Sequence, residues 1–383
     1  MDNAEFSQAS ARRDGTIAQW LTVVALIYVL ICAVSLIGTG FKIATGGNAK
    51  ELFAFATNPF VGLVVGIVAT ALIQSSSTVS SVIVGLVAGG LPLSIAVPLI
   101  MGSNVGTTIT NTLVSLGHLR DPQEFRRAFA AATVHDFFNL LAILIFLPLE
   151  LMFGLLGRLA AAITGPLVND ADVSISSFNV VKVLTSPLVA LLEGLAMLLP
   201  GIAAGIAMVI VGLALIFFSI TFVGRLLKRL MVGRAKAIMH SAIGKGPVTG
   251  IASGTIVTVL VQSSSTTTSL MVPLAGAGTF SLKQIYPFML GANIGTTITA
   301  LLAATGVVGP MAPLAMQIAL IHFLFNLFGV MLIFGIPMLR GVPIRGAEAL
   351  ARLATDNKLV AAAWVLGVFL IVPISLIAIT SVF

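Results

Sequence analysis

Charge is what this sequence has least of. Only 9% of its 383 residues are Asp, Glu, Lys or Arg, against 58% hydrophobic residues. A soluble domain carries roughly 25% charged residues. The shortage excludes an ordinary soluble globule, because most side chains must face lipid or one another. Cysteine is nearly absent. Cys32 stands alone, so no internal disulfide can form. The alternation of a membrane strand is missing too. The apolar runs are instead about 20 residues long, the length of a membrane-crossing helix, which argues against a barrel. A cleavable leader is not expected: residues 1–16 mix Asp2, Glu5, Arg12, Arg13 and Asp14, and the apolar run from Trp20 to Ile37 is too long for a signal core. The net charge of +7 does not point to nucleic acid, since the basic residues flank apolar spans, where the positive-inside rule puts them.

Against this apolar background one polar phrase occurs twice. Gln74-Ser75-Ser76-Ser77-Thr78 returns as Gln262-Ser263-Ser264-Ser265-Thr266. Gly62, Gly66 and Thr70 lead into the first copy, and Gly250, Gly254 and Thr258 lead into the second at the same offset. A second phrase follows each copy: Gly102-Ser103-Asn104-Val105-Gly106-Thr107-Thr108, then Gly291-Ala292-Asn293-Ile294-Gly295-Thr296-Thr297. A third pair is His135 with Asn139 and His322 with Asn326. Polar, Gly-interrupted segments at matching places in two halves point to a transporter binding site.

The spacing predicts spans at 18–38, 91–116, 128–153, 201–223, 284–308, 312–338 and 359–380. The spans at 91–116 and 284–308 are expected to be broken by the Gly-Asn-Gly-Thr-Thr-type phrase. Residues 59–90 and 248–280 carry the serine phrases with about a dozen apolar residues on either side, too few per arm to cross the bilayer. Each reads as a re-entrant helical hairpin with the polar phrase at its tip. The expected architecture is an all-α integral membrane, polytopic inverted-repeat transporter. Its parts are a first repeat over 1–164, a connector over 165–200, a second repeat over 201–340, and a loop and last span over 341–383. Three crossings per half would place the loops 118–127, 225–245 and 339–358 on one side with the N-terminus, together with 16 of the 20 Lys and Arg; that side reads as the cytoplasm.

Five consecutive polar side chains are costly in hydrocarbon unless they line a wet or ligand-filled cavity. Hydroxyls and amides can donate to an anion, and the same oxygens can hold a hard cation. Helix starts at a hairpin tip add N–H groups that suit an anion. The alternative is that the serines are glue between helices. In the second phrase the glycines permit either unwinding, with freed carbonyls as cation ligands, or a close helix crossing. The two histidines read as core groups hydrogen-bonded to a neighbouring helix. Asp136 has no counterpart, since Phe323 takes its place. An intramembrane carboxylate is costly and marks function, so it is expected to hold a cation or to pair with His135. Apart from Lys283 near a hairpin end, no Lys or Arg lies in the repeated cores. A divalent anion entering there lacks a fixed counter-charge, so cations are expected to enter with it.

These phrases, together with Phe125-Arg126-Arg127-Ala128-Phe129 and Thr133-Val134-His135-Asp136-Phe137-Phe138-Asn139, resemble the type II sodium-dependent inorganic phosphate cotransporter family. The resemblance implies symport of sodium and phosphate, preferably divalent, by alternating access across a plasma membrane. By position it implies that Gln74, Ser75, Ser76, Ser77, Gln262, Ser263, Ser264 and Ser265 bind phosphate. Thr78, Asn104, Thr107, Thr108, Asp136, Thr266, Asn293, Thr296 and Thr297 are then expected at sodium. A further sodium is expected at Asp121, just before the Phe-Arg-Arg segment, where Arg120 is able to pair with the carboxylate; the number of sodium ions stays open. The short, cysteine-free connector suits a bacterial inner-membrane member with a cytoplasmic N-terminus. The expected partners are sodium, phosphate and the lipid bilayer, with a homodimer left open. Transport of another oxyanion such as sulfate or arsenate is the alternative, followed by an ion channel. An enzyme is not expected, because the serine phrase is duplicated without a matching Asp.

Overall fold

Lipid offers backbone amides no partner, so a chain this apolar must satisfy them within helices. The computed structural model describes residues 3–48, 58–169 and 174–371, with residues 375 and 378, and every regular element among them is helical. In chain order the first half gives α1 (Asn3–Ala44), α2 (Pro59–Ile73), α3 (Ser76–Ala88), α4 (Leu93–Gly106), α5 (Ile109–Ser115) and α6 (Pro122–Phe153). Then come α7 (Leu155–Asn169) and α8 (Ser174–Ala196). The second half gives α9 (Ile202–Ala242), α10 (Pro247–Val261), α11 (Ser264–Ser269), α12 (Met271–Gly276), α13 (Leu282–Ala304) and α14 (Ala312–Gly329). The described chain closes with α15 (Pro337–Asp356) and α16 (Lys358–Leu366).

Six stretches are long and apolar enough to cross a membrane: Thr16–Ala44, Leu93–His118, Pro122–Phe153, Ile202–Met231, Leu282–Ala304 and Ala312–Phe334. The protein is therefore a polytopic helical membrane protein. They coincide with the first six expected spans. The seventh, 359–380, is helical from Lys358 to Ile371, and most of its remainder lies outside the described residues.

Several expectations need correction. The stretch 225–245 is not a loop, because α9 runs on to Ala242. Likewise 339–358 is mostly α15. Charged residues end a hydrophobic span, but Arg, Lys, Leu, Met and Ala are all good helix formers. The second broken span is also corrected. α4 stops at Gly106 and helix resumes at Ile109, whereas α13 passes unbroken through Gly295, Thr296 and Thr297.

The glycines serve close contact between helices. α2 lies along α4, and α10 lies along α13. A Cβ on Gly66 would sit 2.0 Å from the Leu99 carbonyl oxygen, and one on Gly102 would sit 2.0 Å from the Leu63 oxygen. The second half repeats the contact: Gly254 against Phe288 and Gly291 against Ile251, both at 1.9 Å. Small residues let two backbones touch, which is how helices associate in lipid without a hydrophobic driving force. Each helix that leads into a serine phrase is thereby fixed to the helix carrying the Asn-Gly-Thr-Thr phrase. The helix leaving the first phrase, α3, packs against α1, α13 and α14 as well as α4.

α1 and α9, the opening helices of the two halves, pack antiparallel along much of their length. Val23 and Leu26 of α1 meet Val223 and Leu227 of α9 at one end. At the other, Gly40 abuts Met208 and Gly205.

Candidate functional site

Both serine phrases are built alike. α2 ends at Gln74 and α10 ends at Gln262, each with φ of 54°. They are the only non-glycine residues with positive φ among the described residues. A left-handed residue with a Cβ costs of order 1–3 kcal/mol, and such strain collects at functional sites. The chain then turns to extended backbone at Ser75 and Ser263, whose hydroxyls cap the next helix by accepting from the amides of Thr78 and Thr266. The first amides of a helix have no intrahelical acceptor, so at each phrase the amides that open the helix point their N–H groups out of the helix start.

The two phrases meet. Ser76 and Ser77 hydroxyls lie 3.3 and 3.2 Å from the Thr296 hydroxyl, and Ser264 donates to the same oxygen at 3.3 Å. Ser265 donates to the Gln74 carbonyl at 3.5 Å. The gathered hydroxyls come from residues 188 positions apart in sequence, and all but the phrase edges are buried. Gln262 is tied down, accepting from Thr299 at 2.9 Å and donating to Val259, while Gln74 is exposed. Thr107, the counterpart of Thr296, instead donates to the Ser103 carbonyl, and Thr108 and Thr297 bond carbonyls of their own helices.

Behind the serines lies a buried amide–imidazole network that crosses between halves. His135 lies 2.6 Å from Asn293 Oδ1 and His322 lies 3.1 Å from Asn104 Oδ1. Asn104 donates to Asn326, Asn293 donates to Asn139, and Asn139 donates to the Asn104 carbonyl. An amide oxygen only accepts, so each histidine carries its proton on Nε2. The histidines are thus the hydrogen-bonded core groups expected. Their partners, however, are the two asparagines assigned to sodium, whose side chains are occupied by this network.

The two carboxylates part company. Asp121 is exposed and caps α6, accepting from Gln123 and Glu124 at 2.8 and 2.9 Å. The Glu124 and Gln123 amides hold its carboxyl below the usual aspartate range. It is not among the groups gathered around Thr296. Asp136 is fully buried with Thr108 beside it. Its Oδ2 accepts from the Trp364 indole at 2.8 Å, and its Oδ1 has no partner among the described residues. It does not pair with His135, whose bond goes to Asn293. The Trp364 contact was not legible in the sequence, since nothing local links the last described helix to α6. Nor did the sequence assign a role to Thr299, or signal the Asn111–Thr268 bond at 2.9 Å.

The sequence profile described as Na+/Pi-cotransporter matches residues 29–165 and 215–340. The chain is 33% identical over 420 residues to "Sodium-dependent phosphate transport protein 2A" of Rattus norvegicus, covering 92% of this chain and 66% of the rat protein. It is 34% identical to the protein of that name from Ovis aries, covering 94% and 68%. With "Sodium-dependent phosphate transport protein 2B" of Homo sapiens the identity is 30%, covering 94% and 65%. The chain thus spans about two thirds of the length of these relatives. No solved structure matches it.

Proposed function

Because the chain belongs to the Na+/Pi-cotransporter family, we propose that it carries inorganic phosphate across a membrane together with sodium ions. The observation that carries this reading is the convergence of both serine phrases on Thr296. Ser76, Ser77, Ser264 and Ser265 present hydroxyls, and the helix starts present amides, where a tetrahedral oxyanion accepts many hydrogen bonds. Gln74, Ser75, Gln262 and Ser263 shape the two turns that aim those groups. No lysine or arginine is among the residues gathered there, so sodium ions entering with the phosphate offset its charge.

In this reading Thr78, Thr107, Thr108, Thr266, Thr296 and Thr297 supply oxygens for sodium beside the phosphate. Asn104 and Asn293 act through the histidine network that holds α4 and α13 in register. Of the two carboxylates, we assign a further sodium to Asp136 rather than to Asp121. Asp136 is buried and its Oδ1 has no partner among the described residues, whereas Asp121 is exposed and its Oδ1 caps α6.

We read the halves 1–164 and 201–340 as inverted repeats, with 165–200 as connector and 341–383 as the closing segment, and the two serine phrases as re-entrant tips. The antiparallel packing of α1 on α9 supports this, since counterpart helices that run oppositely relate halves that cross the bilayer oppositely. The reciprocal His135–Asn293 and His322–Asn104 bonds support a two-fold relation. Alternating access then follows as movement of one bundle against another. The N-terminus is assigned to the cytoplasm of a bacterial cell on the charge bias. In support, Arg126 and Arg127 share one cavity with Ser281 and Glu348, so segments counted on the same side do meet.

Uptake of labelled phosphate into proteoliposomes tests the reading. A sodium gradient should drive uptake that an equal potassium gradient does not, and Ser264→Ala should weaken it. Equal uptake under both gradients refutes sodium coupling. Sodium-driven uptake of labelled sulfate, with none of labelled phosphate, would transfer the site to another oxyanion.

A further inference from the structure

A second basic cavity lies away from the serine phrases. It measures about 390 Å³ and lies between the start of α13 and the start of α15, with the turn from Gly244 to Pro247 as its third wall. Lys283 and Arg340 line it, and neither forms an ion pair among the described residues. Arg340 Nε is buried without a hydrogen-bond partner, and the guanidinium rests over the Phe334 ring at 4.9 Å from its centroid. Tyr286, 1% exposed, also lines the cavity, and its hydroxyl has no partner either.

Buried donors are nearly always bonded, so an idle one asks for a missing acceptor. Two in one cavity, with a lysine at its edge, ask for an anion. Guanidinium and ammonium groups together favour phosphate oxygens. The remaining wall is apolar, from Phe334, Pro337 and Ile344, and the cavity lies where the spans Leu282–Ala304 and Ala312–Phe334 end. Basic pockets between transmembrane helices at that depth hold lipid head groups. The cavity is no part of the repeated machinery, because Lys283 and Tyr286 fall opposite Ser94 and Val97 in the first half.

We propose that Lys283, Tyr286 and Arg340 bind a phosphate group at the membrane interface, as the head group of an anionic phospholipid or as the free ion. The purified full chain is placed in phosphatidylcholine nanodiscs containing a minority of phosphatidylglycerol, and retained lipid is counted by native mass spectrometry. A parallel arm measures labelled inorganic phosphate bound in choline buffer, where the sodium-dependent site is not loaded. Wild type should retain phosphatidylglycerol, and Lys283→Ala with Arg340→Ala should lower occupancy about tenfold or more. Tyr286→Phe, which keeps the ring and the packing, should lower it by a smaller factor. Phosphate binding that fails in the same variants, without lipid retention, supports the site with the free ion as occupant. Retention unchanged in all variants, or no binding in either arm, overturns the proposal.

Discussion

His322 of the second half donates to Asn104 of the first at 3.1 Å, and His135 of the first donates to Asn293 of the second at 2.6 Å. Each half holds the imidazole that satisfies the other's amide. Both ends of both bonds are buried, so removing one partner strands a polar group in a dry place. His135→Phe is expected to cost about 1–3 kcal/mol. Asn293→Leu added to it should cost less than the sum of the two single changes. Thermal unfolding in detergent of the four proteins in that cycle measures the coupling; additive losses would deny it.

The hydroxyls around Thr296 give a functional prediction. Hydrogen bonds to a charged group are worth about 1.5–3 kcal/mol. Ser76→Ala and Ser264→Ala should each weaken apparent phosphate affinity by roughly 10- to 100-fold, with the folded yield unchanged. Phosphate concentration dependence of uptake reads this directly.

The left-handed turns predict an opposite pair of effects. Gln74→Gly removes a strained Cβ and should be at least as stable as wild type, whereas Gln74→Val should lose about 1–3 kcal/mol. If the side chain takes part in transport, the more stable glycine variant should still carry phosphate more slowly. Melting temperature and uptake rate on the same preparations separate the two.

Gly66 and Gly254 predict failure of assembly. A methyl at 2.0 or 1.9 Å from a carbonyl oxygen cannot be relieved by turning a side chain, because the obstacle is backbone. Gly66→Ala must force α2 from α4, costing about 3 kcal/mol or more. The expected result is loss of the monodisperse peak on gel filtration. Gly117→Ala, where nothing stands within 4 Å, is the matched control.

The two carboxylates should separate by pH and by sodium. Asp121 is held below its ordinary range, so its capping contribution is complete above the ordinary aspartate value and is lost as pH falls through the lowered folded value. Asp121→Asn, still a good cap, should abolish that acid sensitivity and leave the sodium dependence of uptake alone. Asp136→Asn should instead lower the sodium cooperativity and the charge moved per phosphate, measured as current at fixed voltage.

Much of this was legible in the sequence because the chain repeats itself. The serine phrases, the histidine pairs and the spans each announce their equivalence by offset alone. What stayed hidden were contacts across long separations. Nothing near Asp136 signals Trp364, 228 residues away. The glycines of the second phrase were readable as small residues. Whether they unwind a helix or admit a neighbour depends on what lies opposite, and here that is another glycine-lined helix. Helix ends were misplaced where Arg and Lys closed an apolar run, since charge limits residence in lipid and says little about backbone conformation.

The crossed imidazole–amide bonds also bear on how the chain is made. When a ribosome has delivered Asn104, its companion His322 is still unsynthesised, and 218 residues must follow before the pair closes. The leading portion therefore waits in the bilayer with unmet polar groups. Neither portion expressed alone should settle, whereas the two co-expressed as separate polypeptides should find each other.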